Sequence, residues 1–257
     1  MFETVEYEVR GQVAWITLNR PGKLNAFNES LNNDVRLAVK EASRNENVRA
    51  LVITGSGRAF CSGQDLEGVD EGTNLGEVLR NRYNPMVLEL HKCEKPVIAA
   101  VNGVAAGAGM SLALGCDFRI ASEKASFIQA FIHVGLIPDA GNLYFLPRLV
   151  GHAKALELAV LGEKINANEA LNIGLVTKVT PTDSFYEDVS VFAERLASLP
   201  TQAIGLIKRN LNASWNENLE EFLERDAQGQ RIAGQTKDHR EGVTAFLEKR
   251  KPEFKGC

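Results

Sequence analysis

The chain has 257 residues, of which 44% are hydrophobic and 24% charged, and its formal net charge is −4. This balance is typical of a globular protein with a substantial core, and it gives no overall basic field for nucleic acid or an anionic membrane. The four cysteines are far apart and form no CxxC pair, which argues against a zinc site and against a disulfide-stapled secreted fold.

The N-terminal segment "MFETVEYEVRGQ" is polar and mixed in charge, without the apolar core of a signal peptide or the basic character of a transit peptide. No apolar run approaches the length of a membrane span. We therefore expect a cytoplasmic enzyme or binding protein that has no membrane partner.

The first quarter of the chain alternates between strand and helix patterns. Alternating apolar residues predict strands at 5–9 and 12–18. Apolar residues at helical spacing predict a helix over 28–46, with Asn28 as its N-cap. The run "RALVITG" at 49–55 is typical of a buried strand.

The next elements continue this alternation. A polar stretch at 67–76 is predicted to be mobile, and a helix is predicted over 75–93. Pro96 opens the strand "PVIAAVNG", the loop "GVAAGAGM" leads into the helix "MSLALG", and "CDFRIAS" is a further strand. Strands alternating with helices predict βαβ units and a mainly parallel sheet with helices outside.

Helical patterns dominate after about residue 140, with one short strand, "LVTKV" at 175–179. The predicted helices cover 152–161, 167–173, 183–198, 201–214, 217–233 and 238–250. No low-complexity linker interrupts the chain. We therefore expect an α/β core over 1–195 and a helical C-terminal region over 196–257 within one structural unit.

Two glycine-rich loops, "FCSGQDL" at 60–66 and "NGVAAGAGMSLAL" at 102–114, each join a strand to a helix. At such junctions exposed backbone N–H groups point at an anionic oxygen, so two adjacent loops form an oxyanion hole for one carbonyl. The alternative is that the glycines only permit tight turns and close helix packing. Neither loop matches a Walker A motif, and the second is a poor match to GxGxxG.

The segments "ITLNRPGKLNAF", "ALVITGSGRAFCSGQDL", "KPVIAAVNGVAAGAGMSLALGCDFRIAS" and "EGVTAFLEKRKPEF" occur in the order and at the spacings of one known family. From about residue 3 to residue 254 the chain resembles the crotonase (enoyl-CoA hydratase/isomerase) superfamily. This resemblance implies a spiral of ββα turns with a helical C-terminal trimerisation region. It also implies acyl-CoA thioester substrates, a homo-trimer or hexamer, and no metal or redox cofactor.

Carried over by position, the resemblance implies that the backbone N–H groups of Gln64 and Ala108 bind the thioester oxygen. The neighbouring Gly63 and Gly109 would keep the approach to that oxygen open. The coenzyme A arm would be lined by residues from the first third of the chain: Lys23, Leu24, Ala26, Ser62, Gly63, Asp65 and Leu66. Asp65 also suits a role in fixing its loop by capping backbone N–H groups.

The same resemblance implies that Phe246 and Lys249 reach the coenzyme A of a neighbouring subunit, with Lys249 at its phosphate. The alternative for Lys249 is a solvated helix end within the run "EKRK", since basic runs are usually only solvated.

The chain departs from the hydratases of the superfamily at two positions. Those enzymes hold and activate water between two glutamates, and the matching residues here are Ser111 and Phe131. Neither side chain transfers protons near neutral pH. The sequence therefore predicts against the usual addition of water.

Asp139, in "IPDAG", lies a few residues beyond the second missing glutamate, in the segment where some isomerases of the superfamily carry a single working carboxylate. Moving a double bond needs only one base, and apolar surroundings would raise its basicity. The residues expected to supply them are Phe131, Ile132, Leu136, Ile137 and Tyr144. The alternative is a turn residue, because "PDAG" favours a turn. With both glutamates absent, we favour catalysis by Asp139.

Within the superfamily, "GLIPDAG…LPRLVG" and "REGVTAFLEKRKPEF" most resemble the isomerases of phenylacetate catabolism, which rearrange 2-(1,2-epoxy-1,2-dihydrophenyl)acetyl-CoA. They share features with Δ3,Δ2-enoyl-CoA isomerases of fatty acid metabolism. Asn142 departs from that pattern, in which a second glycine is usual, and it could narrow or hydrogen-bond the acyl pocket. The alternatives are an enoyl-CoA hydratase of β-oxidation and a non-catalytic CoA- or RNA-binding member.

The remaining candidates for chemistry are weaker. His133 lies near the predicted site, but a lone histidine there is more often structural. Cys61 lies in the first loop, and no nearby histidine or aspartate completes a nucleophile arrangement with it, so we interpret it as a packing residue. The histidines are scattered without HxxxH or HExxH spacing, so no metal site is predicted.

Overall fold

The computed structural model describes residues 2–67 and 72–257. Its strands, in chain order, are β1 (Val5–Arg10), β2 (Val13–Leu18), β3 (Ala50–Gly55), β4 (Ala59–Cys61), β5 (Val97–Val101), β6 (Val104–Ala106), β7 (Phe118–Ser122), β8 (Ser126–Ile128), β9 (Ile165–Asn166) and β10 (Lys178–Thr180). Its α-helices are α1 (Glu29–Arg44), α2 (Leu75–Val78), α3 (Asn84–Lys92), α4 (Ala108–Gly115), α5 (Asn142–Val150), α6 (His152–Leu161), α7 (Ala167–Asn172), α8 (Phe185–Ala197), α9 (Thr201–Ala213), α10 (Leu219–Gly234) and α11 (Lys237–Glu248).

The larger sheet has six strands in the order β1-β2-β3-β5-β7-β10. Only β1 and β2 pair antiparallel, so the predicted mainly parallel sheet is confirmed. Alternate residues of the central strands serve two cores. Val52 and Ile98 pack with Phe185 of α8, whereas Ile53 belongs to the larger core that includes Val35 of α1. Helices therefore cover both faces, as buried parallel strands require.

A second, smaller sheet has the order β4-β6-β8-β9. Its β6 strand lies inside the segment "GVAAGAGM", which was predicted as a loop, and this part of the prediction is wrong. Three small residues are too few to show a strand period, and their conformation is set by parallel pairing with β4 and β8. The following helix begins at Ala108, two residues before the predicted "MSLALG".

Most other predicted elements are confirmed with small shifts of their ends. The Asn28 side chain caps α1 by accepting a 2.9 Å hydrogen bond from the Leu31 N–H. The helix predicted over 75–93 consists of α2, a π-helical turn at Leu79–Tyr83, and α3. The prediction of a mobile stretch at 67–76 includes residues 68–71, which lie outside the described residues.

Helix α5 was not predicted: "PDAG" before it favours a turn, and Pro147 lies within it. Pro147 has no N–H to donate to the Leu143 carbonyl, so one intrahelical hydrogen bond is missing there. The start of α5 matters for the site, because the helix begins three residues after Asp139.

The helices after α8 contact the core through buried hydrogen bonds. The Lys208 ammonium of α9 donates to the carbonyls of Cys93 (2.6 Å) and Lys95 (2.7 Å). The Arg49 guanidinium donates to the carbonyls of Leu199 and Phe254. These helices also expose large apolar side chains: Ile207, Leu211, Leu219, Leu223, Phe246 and Leu247. Over the described residues, no helix combines the length and apolar content needed to cross a membrane.

Candidate active site

The first glycine-rich loop follows β4 and pairs with the chain between β2 and α1. The Ser62 N–H donates to the Leu24 carbonyl (3.0 Å), and the Phe27 N–H donates to the Gly63 carbonyl (2.7 Å). The Asp65 N–H donates back to Phe27 (2.8 Å). The structure thus brings together the two segments that were predicted to line the coenzyme A arm.

Gln64 lies between these backbone hydrogen bonds, and its own N–H donates no hydrogen bond to any described residue. Its side chain is fixed at both ends: its amide N–H donates to the Asp65 carbonyl (2.9 Å), and its oxygen accepts from the Tyr83 hydroxyl. Gly63 has φ +103°, a backbone conformation that favours glycine. The backbone N–H of Gln64 is therefore held in place and is available to a ligand.

The second loop presents the first amides of α4. The N–H groups at a helix start have no intrahelical partner, and the Ala108 N–H makes no hydrogen bond within the described part of the chain. The partial positive charge of this helix end adds to the attraction for a developing negative charge.

The two loops are in contact. A Cβ placed on Gly63 would lie 3.0 Å from the Ala106 oxygen and 3.7 Å from the Ala108 nitrogen. The Phe131 ring lies beside Gly107, 3.9 Å from where its Cβ would be. The backbone N–H groups of Gln64 and Ala108, neither of which donates to a described residue, thus lie next to each other beside an apolar ring. Two such adjacent donors are what an oxyanion hole requires.

Gly109 has a packing function. A Cβ at this position would lie 2.2 Å from the Cys61 oxygen, so only glycine lets α4 pack against β4 this closely. This contact fixes Ala108, one residue earlier, against the first loop. Direct contact of Gly109 with a ligand stays a prediction.

Asp139 lies in the loop between a 3₁₀ turn at Ala130–Val134 and α5, and its side chain is partly buried. Its Oδ1 is buried and makes no hydrogen bond to any described residue. Desolvation raises the pKa of this carboxyl from 3.8 to about 6. Burial raises the pKa of Tyr83, and the Asp139 charge adds to that rise.

Ser111 and Asn142, two positions at which the chain departs from the family pattern, are in direct contact. The Asn142 Nδ2 donates to the Ser111 Oγ at 3.1 Å, and the Asn142 Oδ1 accepts from the Gln129 Nε2 at 2.9 Å. All three side chains are buried. Ser111 therefore belongs to a neutral hydrogen-bonded network and Phe131 is an apolar ring, so neither position holds a carboxylate.

Several predicted coenzyme A contacts surround the first loop. The Lys23 ammonium pairs with Glu67 on the exposed surface, Ala26 is buried, and Leu66 is exposed. The Asp65 carboxylate forms a partly buried ion pair with Arg20 (2.9 Å), which lowers its pKa. The Asp65 Oδ1 also accepts a hydrogen bond from the Glu67 N–H (3.2 Å), so Asp65 caps one backbone N–H of its loop as expected. Its contact with a ligand stays a prediction.

The remaining predicted contacts lie on the later helices. The Tyr144 ring on α5 has the Arg148 guanidinium over one face, 3.6 Å from its centroid, and meets His91 edge-on. Phe246 is 82% exposed on α11, and Lys249 caps that helix in a left-handed conformation (φ +56°). Both are free to contact a molecule outside this chain.

Cys61 is fully buried in β4, and desolvation raises the pKa of its thiol to about 12. The thiol is therefore protonated at neutral pH, in agreement with the packing role expected from the sequence. His133 is exposed in the 3₁₀ turn. Among the described residues, no three histidine, cysteine or acidic side chains cluster as metal ligands.

Comparison with known proteins identifies the family to which this site belongs. The sequence model of the family "Enoyl-CoA hydratase/isomerase" matches residues 8–257. The chain is a member of this family. A crystal structure of enoyl-CoA hydratase subunit I from Geobacillus kaustophilus matches with a TM-score of 0.94 at 35% identity, covering 100% of this chain and 99% of that one. The crotonase-like α/β fold expected from the sequence is thereby confirmed.

Curated family members differ in their named activity. A "Probable enoyl-CoA hydratase" of Rhodobacter capsulatus is 46% identical over 256 residues, covering 99% of each chain. The "1,2-epoxyphenylacetyl-CoA isomerase" of Escherichia coli K12 is 42% identical over 261 residues, covering 100% of each chain. This enoyl-CoA hydratase/isomerase family member is thus similar over its full length to proteins named for both reactions.

The sequence did not reveal three residues of the site. Tyr83 fixes Gln64 from the π-helical turn, Arg20 fixes Asp65, and Gln129 bonds to Asn142. Each lies in a different segment from its partner, and no local pattern pairs them. An unusual polar residue in an apolar segment, such as Gln129 in "ASFIQAFI", was the one available signal.

Proposed function

We propose that this chain is an acyl-CoA isomerase that shifts a double bond, or rearranges a ring-epoxide CoA thioester, with Asp139 as its single acid/base. The observation that carries the proposal is the Asp139 carboxyl itself. It is partly buried, its Oδ1 accepts no hydrogen bond from any described residue, and its pKa is raised to about 6. Ser111 and Phe131 stand where, by the resemblance, the hydratases carry the two glutamates needed for water addition.

The proposed reaction begins with the thioester oxygen accepting hydrogen bonds from the Gln64 and Ala108 amides. The Asp139 carboxylate removes a proton from the carbon next to the thioester, and the electron pair forms an enolate whose charge the two amides stabilise. The resulting carboxylic acid returns the proton two carbons further along, so the double bond moves and Asp139 is regenerated. A pKa near 6 leaves the base mostly ionised at neutral pH yet more basic than an exposed aspartate.

No step of this reaction needs a metal or redox cofactor, and we propose that none is used. We also propose that the chain forms a homo-trimer or hexamer through the exposed apolar side chains of α9–α11. In that assembly Phe246 and Lys249 would reach the coenzyme A of a neighbouring subunit.

The names of the relatives support both this reaction and a second candidate. The E. coli relative is named as an isomerase of epoxyphenylacetyl-CoA, and a 34% identical Streptococcus mutans relative is named trans-2-decenoyl-[acyl-carrier-protein] isomerase. The R. capsulatus relative is named as a probable hydratase, which keeps enoyl-CoA hydration as the second candidate.

Mixing the purified protein with 3-enoyl-CoA, 2-enoyl-CoA and aryl-epoxide CoA esters in ¹⁸O-labelled water tests both candidates. We expect the 3-enoyl-CoA or the aryl-epoxide CoA ester to be converted without incorporation of ¹⁸O. Incorporation of one labelled oxygen into the product formed from 2-enoyl-CoA would establish hydratase activity. Tight binding of all three esters without turnover would indicate a non-catalytic CoA-binding protein.

A further inference from the structure

A buried network of neutral side chains joins the loop of Asp139 to the helix that begins at Ala108. It consists of Gln129, Asn142 and Ser111, each at most 1% exposed. Asn142 is its centre, because it donates to the Ser111 Oγ (3.1 Å), accepts from the Gln129 Nε2 (2.9 Å) and donates its backbone N–H to the Asp139 carbonyl (3.0 Å).

The network ends on the Gly107–Ala108 peptide group, whose N–H is the second donor of the proposed oxyanion hole. The Ser111 Oγ donates to the Gly107 carbonyl at 3.2 Å, and the Ser111 backbone N–H donates to the same oxygen at 3.0 Å. That carbonyl and the Ala108 N–H belong to one peptide group. Two donors on the oxygen draw electron density from the nitrogen, so the Ala108 N–H becomes a stronger and more rigid donor.

We propose that Ser111 and Asn142 are positioning residues that couple the base loop to the oxyanion hole. Ser111 polarises and orients the Ala108 amide, and Asn142 holds Ser111 in register with the backbone of Asp139. This inference rests on the proposed function, because it assigns these residues to the oxyanion and base of that reaction. It goes beyond that function by giving a task to Ser111, which stands where the hydratases of the superfamily carry a glutamate, and to Asn142, which departs from the isomerase pattern.

Buried serine and asparagine side chains are equally compatible with a packing role, so the test must distinguish packing from positioning of the Ala108 amide. Ser111→Ala removes one oxygen and little volume, and it leaves the substrate-contacting amides in place. Ser126→Ala is a matched control, because Ser126 is also buried and its hydroxyl makes no hydrogen bond within the described part of the chain.

The first measurement is steady-state turnover of a 3-enoyl-CoA. We expect Ser111→Ala and Asn142→Ala each to lower kcat about three- to tenfold with KM within twofold, since each removes two buried hydrogen bonds, one of which the two residues share. Because the two residues act through one contact, the double variant is expected to be no slower than the slower single variant. The proposal would be overturned if the losses in kcat of the two single variants multiplied in the double variant. An unchanged kcat in Ser111→Ala, or an equal loss in Ser126→Ala, would also overturn it.

The second measurement needs no turnover. Butyryl-CoA labelled with ¹³C at the thioester carbonyl reports polarisation of that bond through its infrared frequency when bound. We expect the band to shift down in the wild-type protein and in Ser126→Ala, and to return part of the way to the free value in Ser111→Ala. A wild-type band at the free frequency would contradict the proposed oxyanion hole, whereas equal shifts in wild type and Ser111→Ala would overturn only the coupling.

Discussion

Replacing Asp139 by asparagine should remove turnover and at the same time stabilise the protein at neutral pH. The substitution keeps the size of the side chain and removes its charge. General acid–base catalysis by one group is worth about 10²- to 10⁴-fold, and here a single group both removes and returns the proton, so we expect a loss of about 10³-fold or more in kcat. Binding of acyl-CoA should persist, because the Gln64 and Ala108 amides are unchanged.

The stability gain follows from the raised pKa of Asp139. The carboxyl titrates at 3.8 when exposed and at about 6 in the folded chain, so the native state binds its proton more tightly and stability falls as the pH rises between these values. A difference of about 2 pKa units corresponds to a ceiling of about 3 kcal/mol. Because the side chain is only partly buried, solvent screening should reduce this cost to about 1 to 2 kcal/mol.

Urea unfolding of wild type and Asp139→Asn at pH 7 and pH 4 measures this effect, alongside kcat/KM between pH 5 and pH 8. We expect the variant to be more stable at pH 7 and nearly equal at pH 4. The wild-type kcat/KM should rise with pH around a midpoint near 6, where the base ionises. Full activity in Asp139→Asn, or equal stability of the two proteins at pH 7, would refute the assignment of a desolvated catalytic carboxylate.

Three further outcomes test the surrounding structure. Gly109→Ala should sharply lower the thermal midpoint and the affinity for acyl-CoA, because the new Cβ would lie 2.2 Å from the Cys61 oxygen; wild-type melting would show that α4 does not pack as described. Arg119→Met should cost about 2 to 4 kcal/mol in urea unfolding, since the buried guanidinium donates to several carbonyls, including that of Cys116 at 2.6 Å. In the native protein iodoacetamide should modify the exposed Cys257 and spare Cys61, whose thiol pKa is raised to about 12; rapid labelling of Cys61 in peptide mapping would contradict its burial.

Local patterns in the sequence predicted most of the larger sheet and its helices. The alternation of β1 and β2, the unbroken apolar run of β3 and the Asn28 cap of α1 are each set by neighbouring residues, so a single sequence reveals them. The position of Asp139 as an isolated charge in an apolar segment was visible in the same way. The family pattern then supplied the roles of Gln64 and Ala108.

Only the tertiary structure decided how these parts meet. The strand β6 exists because β4 and β8 flank it, and the gap that admits Gly63 beside Ala108 is defined by atoms far apart in sequence. The contact of Asn142 with Ser111 joins residues 31 positions apart. Hydrogen bonds depend on three-dimensional proximity, which no short window of one sequence encodes, so the network behind the Ala108 amide emerged from the fold alone. The apolar neighbours of Asp139 in the sequence predicted a more basic carboxylate, but only the fold shows the burial that raises its pKa.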